Sequence, residues 1–351
     1  MRERFFNELL NSDSPSGYEK GCTDVFANYL SNYAKHEFTD QVGNVAFSVG
    51  DGDIKLMLSA HVDEIALQVQ NIDEKGFVHF IIDGGIDQKA IICQTVKILT
   101  KQGSVFGVIG KKPIHVEESK ERDEVTKIKD MKVDIGVDSR EEALKLVSIG
   151  DPIVFVKQPQ RIGPSRVISK AIDDKAGLFV VAEVLKALSK LQDEKLKNLK
   201  VYGVACTQEE TSASGAVGAA VKIDPQYSID YDVTFATDDE YVSANEWGDV
   251  KLGKGGCIAH GVDSNKAMTD LMREVCQKYN IKYQEFSVGS GCTNTVFIKQ
   301  SSTNAQTLLL SIPSRNMHTP VEMCDYTDLQ SLINMTLHFI YELDDRLGKK
   351  E

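Results

Sequence analysis

The sequence predicts an α/β protein, a sheet carrying helices on both faces, interrupted by a small inserted β-domain. Two observations carry this expectation. Along most of the chain, short continuous apolar runs alternate with longer segments of helical periodicity, as when strands are connected through helices. Between residues 70 and 165 the rhythm changes to "GFVHFII", "QTVKILT", "VFGVIG" and "DPIVFVK", which are short, β-rich and punctuated by glycine. The expected organisation is an α/β domain in two parts, residues 1–69 and 166–351, around an insert at 70–165.

The elements follow in order. Phe5, Phe6, Leu9 and Leu10 sit at helical spacing near the N-terminus, without the long apolar core of a secretory signal. Cys22, Val25, Phe26, Tyr29, Leu30 and Tyr33 fall on one face of a helix over 18–34. The run "IKLMLSAHVDE" (54–64) reads as a strand buried on both faces. "DDKAGLFVVAEVLKALSKL" (173–191) opens on acids, which suit a helix N-terminus, and continues with helical spacing. Then come a strand at 199–206, a Gly/Ala-rich helix at 213–222 and a strand at 229–236. A helix at 265–279, a strand at 307–312 and a helix at 326–344 complete the pattern.

At 351 residues, 42% hydrophobic and 26% charged, the chain can bury a large core and has no low-complexity tract. A formal net charge of −12 disfavours nucleic acid and anionic membrane as partners, and no apolar run is long enough to span a bilayer. Seven cysteines with no C-x-x-C pair argue against a disulfide framework and a cysteine-type zinc site. The cytoplasm is the expected location.

Functional residues in open α/β sheets gather at the carboxyl ends of strands. Here those ends offer metal-ligand types. "SAHVDE" holds His61 and Asp63, "KAIDDKAG" holds Asp173 and Asp174, and "CTQEE" holds Glu209 and Glu210. "SIDYDVTFATDDE" offers Asp230, Asp232, Asp238 and Asp239, and "SRNMHTPVEM" adds His318. Each has a plain reading as a cap, a solvated loop or a turn. Together they suit two divalent ions, which need imidazole and carboxylate donors and a bridging carboxylate. The pair Glu209–Glu210 then gains a purpose. Alternation along an extended chain would let one carboxylate bind metal while its neighbour serves as a general base. His61 and Asp63 would share a face, so that Asp63 fixes the imidazole tautomer.

These residues, in this order, resemble the M42 family of dinuclear metallo-aminopeptidases, the glutamyl and deblocking enzymes of tetrahedral particles. The matching motifs are "SPSGYE", "SAHVDEIALQV", "GVIGKKPIH", "VDIGVDSREEA", "KAIDDKAG", "TQEE", "DVT", "LGKGG" and "SIPSRNMHTPVEM", spread over nearly the whole chain. The resemblance implies a mixed sheet sandwiched by helices, with the insert as a β-barrel, PDZ-like dimerisation domain. It implies His61 on one metal, His318 on the other, Asp173 as the bridge and Glu210 as a terminal ligand. Among the acids near 235 it selects Asp232. Glu209 would be the general base acting on a metal-activated water, and Asp63 would orient His61. Peptides with a free N-terminus are the implied substrates. The implied ions are two per subunit, zinc by donor type, with cobalt or manganese fitting the same set. A homo-oligomer, up to a tetrahedral dodecamer of dimers, is the implied assembly.

The chain departs from the family pattern near the expected substrate site. Thr211, Ser212 and Ser214 stand where many relatives have Val, Gly and Arg, and "GCTNT" puts Asn294 at an Asp position. No departure falls on a proposed ligand. Lys175, Lys254 and Arg315 are the cations available to an acidic specificity. Two other readings stand beside the aminopeptidase. A glycoside hydrolase also uses paired carboxylates but needs neither histidine nor bridge, and an assembly protein that had lost catalysis would not retain the full ligand set. The remaining histidines (His36, His79, His115, His260, His338) read as structural or surface residues. Cys206 reads as a buried small hydrophobe, sensitive to oxidation if near a metal.

Overall fold

The computed structural model describes residues 2–118, 124–190, 196–289, 293–301 and 305–349. An eight-stranded sheet runs in the order Lys35–Thr39, Val45–Val49, Leu199–Cys206, Ile54–His61, Tyr227–Phe235, Gln306–Ser314, Gly256–His260, Tyr283–Ser287. It is mixed. The four strands from Leu199–Cys206 through Gln306–Ser314 are mutually parallel, so their carboxyl ends open on one side. Val45–Val49 and Gly256–His260 flank them antiparallel.

Both faces of the sheet are covered, as its sequence requires. In Ile54–His61, Leu56, Leu58 and Ala60 point into one core and Met57 into the other. The larger core takes Ile172–Lys190, Tyr326–Gly348 and the N-terminal helices, with Phe5, Phe6, Phe26, Phe179 and Phe339 buried among them. Burying each such side chain contributes about 1.5–3 kcal/mol. The second face is covered by Ser214–Ile223 and Asn294–Ser301 through Ala216, Ala219, Ala220 and Ile298. Gly203 lets Ile172–Lys190 lie close on the sheet, since a Cβ there would meet Leu185 Cδ1 at 2.4 Å. Asn265 and Asp325 cap the helices Lys266–Lys278 and Tyr326–Gly348 by accepting backbone N–H bonds.

The β-rich insert closes into a barrel of Ala66–Ile72, Val78–Asp83, Val133–Asp134, Gly103–Ile109, Thr95–Thr100 and Pro152–Phe155. Closure leaves no unpaired edge among these strands and encloses a separate core of Leu67, Val69, Phe80, Val96, Ile98 and Ile153. Its first strand contains residue 70, where the sequence pattern placed the division. A three-stranded sheet of Gln160–Ile162, Arg166–Ser169 and Glu322–Asp325 follows the barrel. No helix among the described residues is long and apolar enough to cross a membrane.

The expected elements recur closely. The strand at 199–206 is Leu199–Cys206, and the helix at 265–279 is Lys266–Lys278. The helix expected at 18–34 is shorter, Lys20–Leu30, and the strand expected to reach residue 64 stops at His61. Leu191, the expected last residue of the helix after "DD", lies outside the described residues. The two edge strands Lys35–Thr39 and Tyr283–Ser287 carry no apolar run, because each is largely solvent-facing.

A buried charge cluster ties the N-terminal segment to the end of Ile54–His61. Glu64 accepts from Lys170 Nζ at 2.9 Å, Lys175 Nζ at 3.2 Å and Ser14 N at 2.9 Å. Lys175 also donates to the Ser12 carbonyl at 2.7 Å. Burial pushes the Glu64 carboxyl up, but the two ammonium groups prevail and hold it at about 2. Its stabilisation is therefore complete above pH 4.5 and is lost as pH falls toward 2. Lys175→Met is expected to cost about 3 kcal/mol in chemical denaturation at pH 7, since it removes one of the two ammonium groups from a buried carboxylate and the donor from the Ser12 carbonyl. An unchanged denaturation midpoint would show that Lys170 alone satisfies Glu64.

Candidate metal centre

The four parallel strands deliver their polar residues to one place. His61 is the last residue of its strand, Glu209 and Glu210 lie in the turn after Cys206, and Asp232 lies within Tyr227–Phe235. His318 follows Gln306–Ser314, and Asp173 comes from the start of Ile172–Lys190, where Asp173 and Asp174 leave helical geometry. Ala171, Gln208 and His318 take left-handed backbone, φ 55°, 60° and 59°, each at or within two residues of a candidate ligand. Such conformations persist where the surroundings over-determine them.

Two donor groups result. Ligand atoms of His61, Asp173 and Asp232 lie within 4.8 Å of one another, and so do those of Asp173, Glu210 and His318. Asp173 belongs to both. Its Oδ1 is 2.9 Å from His61 Nε2 and its Oδ2 is 3.3 Å from His318 Nε2, so one carboxylate faces each group. Glu210 Oε2 is 3.7 Å from His318 Nε2. Glu209 is in neither group; its Oε2 stands 4.0 Å from His61 Nε2.

The electrostatics would suit bound cations. Asp173, Asp174, Glu209, Glu210 and Asp232 are crowded together with no Lys or Arg paired to any of them among the described residues. Burial, reinforced by the Asp173 charge, pushes Glu210 and Asp232 well above the carboxylate range and Glu209 to about 7. Asp173 goes the other way. Burial raises it, but hydrogen bonds from His318 and His61 hold it low. The Asp173 hydrogen bond lifts His318 to about 9. Burial opposes the charge on His61, yet bonds to Asp173 and Asp63 raise it well above 6.5. Glu210 Oε1 is buried without a hydrogen-bond partner among the described residues. An orphaned carboxylate oxygen beside imidazole and further carboxylates fits a hard or borderline divalent ion.

The positioning network differs in detail from the sequence expectation. His61 Nδ1 is 3.1 Å from the Asp63 carbonyl oxygen, with the Asp63 carboxylate at 3.4 Å. That carboxylate accepts the backbone N–H of Glu209 at 3.0 Å and of Glu210 at 3.1 Å, and the Ser16 hydroxyl at 2.6 Å. The two glutamates sit in a turn, not in extended chain, so strand alternation does not separate them. Their different positions follow from the turn pinned on Asp63.

Other positioning residues gave no clear sequence signal. Buried Glu322 accepts the backbone N–H of His318 at 2.8 Å and of Asp173 at 3.1 Å, bracing a member of each group. Burial pushes its carboxyl to about 8. The barrel reaches the site through Gly85, whose carbonyl meets His318 Nδ1 and where a Cβ would lie 2.9 Å from that nitrogen. Glu322 was present in "HTPVEM" but reads like any acid before an apolar residue. The sequence left four acids open near 235. Asp238 and Asp239 both face Arg315, at 2.8 and 3.8 Å, and Asp230 is bound to Ser59 and Thr295, which leaves Asp232 in the donor group.

A cavity of about 770 Å³ opens on the site and is lined by Asp173, Glu209, Glu210, Asp232 and His318. Of the residues that depart from the family pattern, Thr211 and Ser212 line it, Asn294 is buried, and Cys292 lies outside the described residues. None of Lys175, Lys254 and Arg315 lines it. Cys206 is fully buried, and burial pushes its thiol well up, which keeps it protonated. His36, His79, His115, His260 and His338 join neither donor group.

The model of the M42 glutamyl aminopeptidase family matches residues 43–335. A lysyl aminopeptidase of Pyrococcus furiosus is 31% identical over 342 residues, covering 96% of each chain. A TET aminopeptidase from Thaumarchaeota archaeon SCGC AB-539-E09 superposes with a TM-score of 0.93 at 27% identity, over 99% of this chain and 98% of that one. The TET1 peptidase of Pyrococcus horikoshii, described as assembling into a tetrahedron or a large octahedral shell, gives 0.87 at 28% identity, over 97% and 100%.

Proposed function

The chain belongs to the M42 glutamyl aminopeptidase family and is a peptide hydrolase, and from that premise we propose a two-metal aminopeptidase with Glu209 as its general base. The observation that carries this reading is the sharing of Asp173 between two donor groups. His61 and Asp232 would complete one ion's ligands, Glu210 and His318 the other's, with Asp173 bridging. Two divalent cations, zinc by donor type with cobalt or manganese suited to the same atoms, would polarise the scissile carbonyl and acidify the attacking water.

The protein's own residues do the rest. Glu209 is 11% exposed, lines the cavity, and its carboxylate accepts no hydrogen bond among the described residues. It is free to take the water's proton and pass it to the leaving amine nitrogen. Asp63 keeps Glu209 and Glu210 in place through their backbone, and Glu322 does the same for His318 and Asp173. Peptides with a free N-terminus are the proposed substrates, and a homo-oligomer the proposed assembly, as in the TET1 peptidase of Pyrococcus horikoshii. The barrel, whose outer side exposes Ile81, Phe106 and Val108, is the proposed dimerisation surface.

The test is hydrolysis of aminoacyl chromogenic substrates and their N-acetylated forms by metal-loaded protein, before and after exhaustive chelation. Only free-amine substrates should be cleaved, and chelation should abolish turnover until metal is restored. Equal cleavage of blocked substrates overturns the aminopeptidase. Activity that survives chelation overturns the metal and favours hydrolysis by the carboxylates alone.

A further inference from the structure

The cavity that holds the donor groups extends over an apolar wall. From the side chains that form it we propose that the enzyme selects peptides whose first residue is large and apolar, and rejects acidic ones. This specificity rests on the aminopeptidase reading above. Three observations converge on it.

First, the wall is continuous with the donor groups. Leu309 and Ser311, two apart on one strand, both face the cavity, and Ser311 is the register partner of Asp232. An apolar floor therefore begins one strand position from a ligand. Second, Phe235, Trp247, Phe286, Val288 and Phe297 line the cavity further out, beside uncharged hydroxyl side chains such as Thr211, Ser212 and Thr293. Phe235 and Trp247 pack edge to face with ring centroids 4.7 Å apart, which stiffens that side. Third, no Lys or Arg is among the described lining residues. Arg315 is committed to Asp238 and Lys175 to Glu64.

Away from the donor groups, the one charged side chain lining the cavity is Glu246, which is exposed and has no ion-pair partner among the described residues. A substrate carboxylate would lose its water against these walls, find no counter-ion, and be repelled by Glu246. An aliphatic or aromatic side chain gains by the same transfer. A hydrophobic pocket rejects a charge far more strongly than it sorts apolar residues by size. The preference is thus expected to be broad among Leu, Met and Phe and sharp against Glu and Asp.

The experiment measures kcat/KM of the metal-loaded full-length protein for Leu, Met, Phe, Lys, Glu and Asp p-nitroanilides. Leu or Phe should exceed Glu by at least about 100-fold. Val288→Lys, on the half-buried wall, should move the Glu-to-Leu ratio toward Glu by at least about tenfold. Circular dichroism confirms that the variant is folded. Equal or better hydrolysis of Glu by the wild type overturns the proposal. So does a dominant preference for Lys that disappears in Glu246→Gln, which would make the rim acid the selector. Silence of the whole panel is the failure of the aminopeptidase reading instead. In that case calorimetry with free L-leucine and L-glutamate decides the pocket alone: tighter leucine sustains the proposal and tighter glutamate ends it.

Discussion

Glu209→Gln is expected to lower peptidase turnover by about 10²–10⁴-fold, the range that a positioned general base contributes, with metal content unchanged. The substitution keeps the side chain's shape and removes only its basicity. Glu209 is in neither donor group, whereas its neighbour Glu210 shares one with Asp173 and His318. The two glutamates should therefore separate cleanly: Glu210→Gln loses metal and Glu209→Gln loses rate. Burial, reinforced by the Asp173 and Asp63 charges, pushes Glu209 to about 7 in the metal-free protein. Cations bound beside it would favour the carboxylate and lower that value, and would keep the proposed base ionised at neutral pH. Full turnover in Glu209→Gln, with metal stoichiometry measured on the same sample, would transfer the role to another residue.

Asp173→Asn is expected to abolish activity and to reduce bound metal from two equivalents to at most one, measured by elemental analysis after dialysis. A neutral amide is a weak donor, and its nitrogen cannot ligate where a carboxylate oxygen did, so the shared position is lost to both groups at once. The metal-free protein offers an independent reading. There the Asp173 hydrogen bond raises His318 to about 9, and His61 is raised as well. A raised folded-state pKa means that the pairing stabilises fully below the unfolded value of 6.5 and fades as pH climbs through 9. Metal-free Asp173→Asn should therefore be less stable than metal-free wild type at pH 6, and the gap should close by pH 10. A gap that widens with pH would mean that the imidazoles are not held as cations by Asp173. Two full equivalents of metal in the variant would remove the bridge.

Much of this site was legible before the structure because its donors follow apolar strands. A strand buried on both faces, such as Ile54–His61, is an apolar run, and a histidine or acid at its carboxyl end stands out against it. The same contrast marked Glu209 and Glu210 after Leu199–Cys206. Where a polar residue lay inside or far beyond a strand, the contrast failed. Asp230 and Asp232 are two apart on one strand, and only their partners tell them apart: Ser59 and Thr295 bind Asp230, while Asp232 reaches the donor group. Glu322 and Gly85 carried no signal, because each acts on a residue distant in sequence, Glu322 on Asp173 and Gly85 on His318.

The sequence by itself determined the α/β class, the central strands and main helices, the β-rich insert and the residue types of a candidate cation site. Hydrophobic periodicity and donor chemistry are local properties, and they are written along the chain. Tertiary structure alone decided which carboxylate the two donor groups share, which glutamate stands outside both, and what two of the cations expected to read an acidic substrate pair with. Lys175 pairs with Glu64 and Arg315 with Asp238, because a buried or crowded carboxylate attracts whichever ammonium or guanidinium the fold brings within reach. Neither lines the cavity, whose wall away from the donor groups includes Phe235, Phe286, Phe297 and Leu309. Such pairings depend on distances across the sheet and between the sheet and barrel, which one-dimensional spacing does not encode.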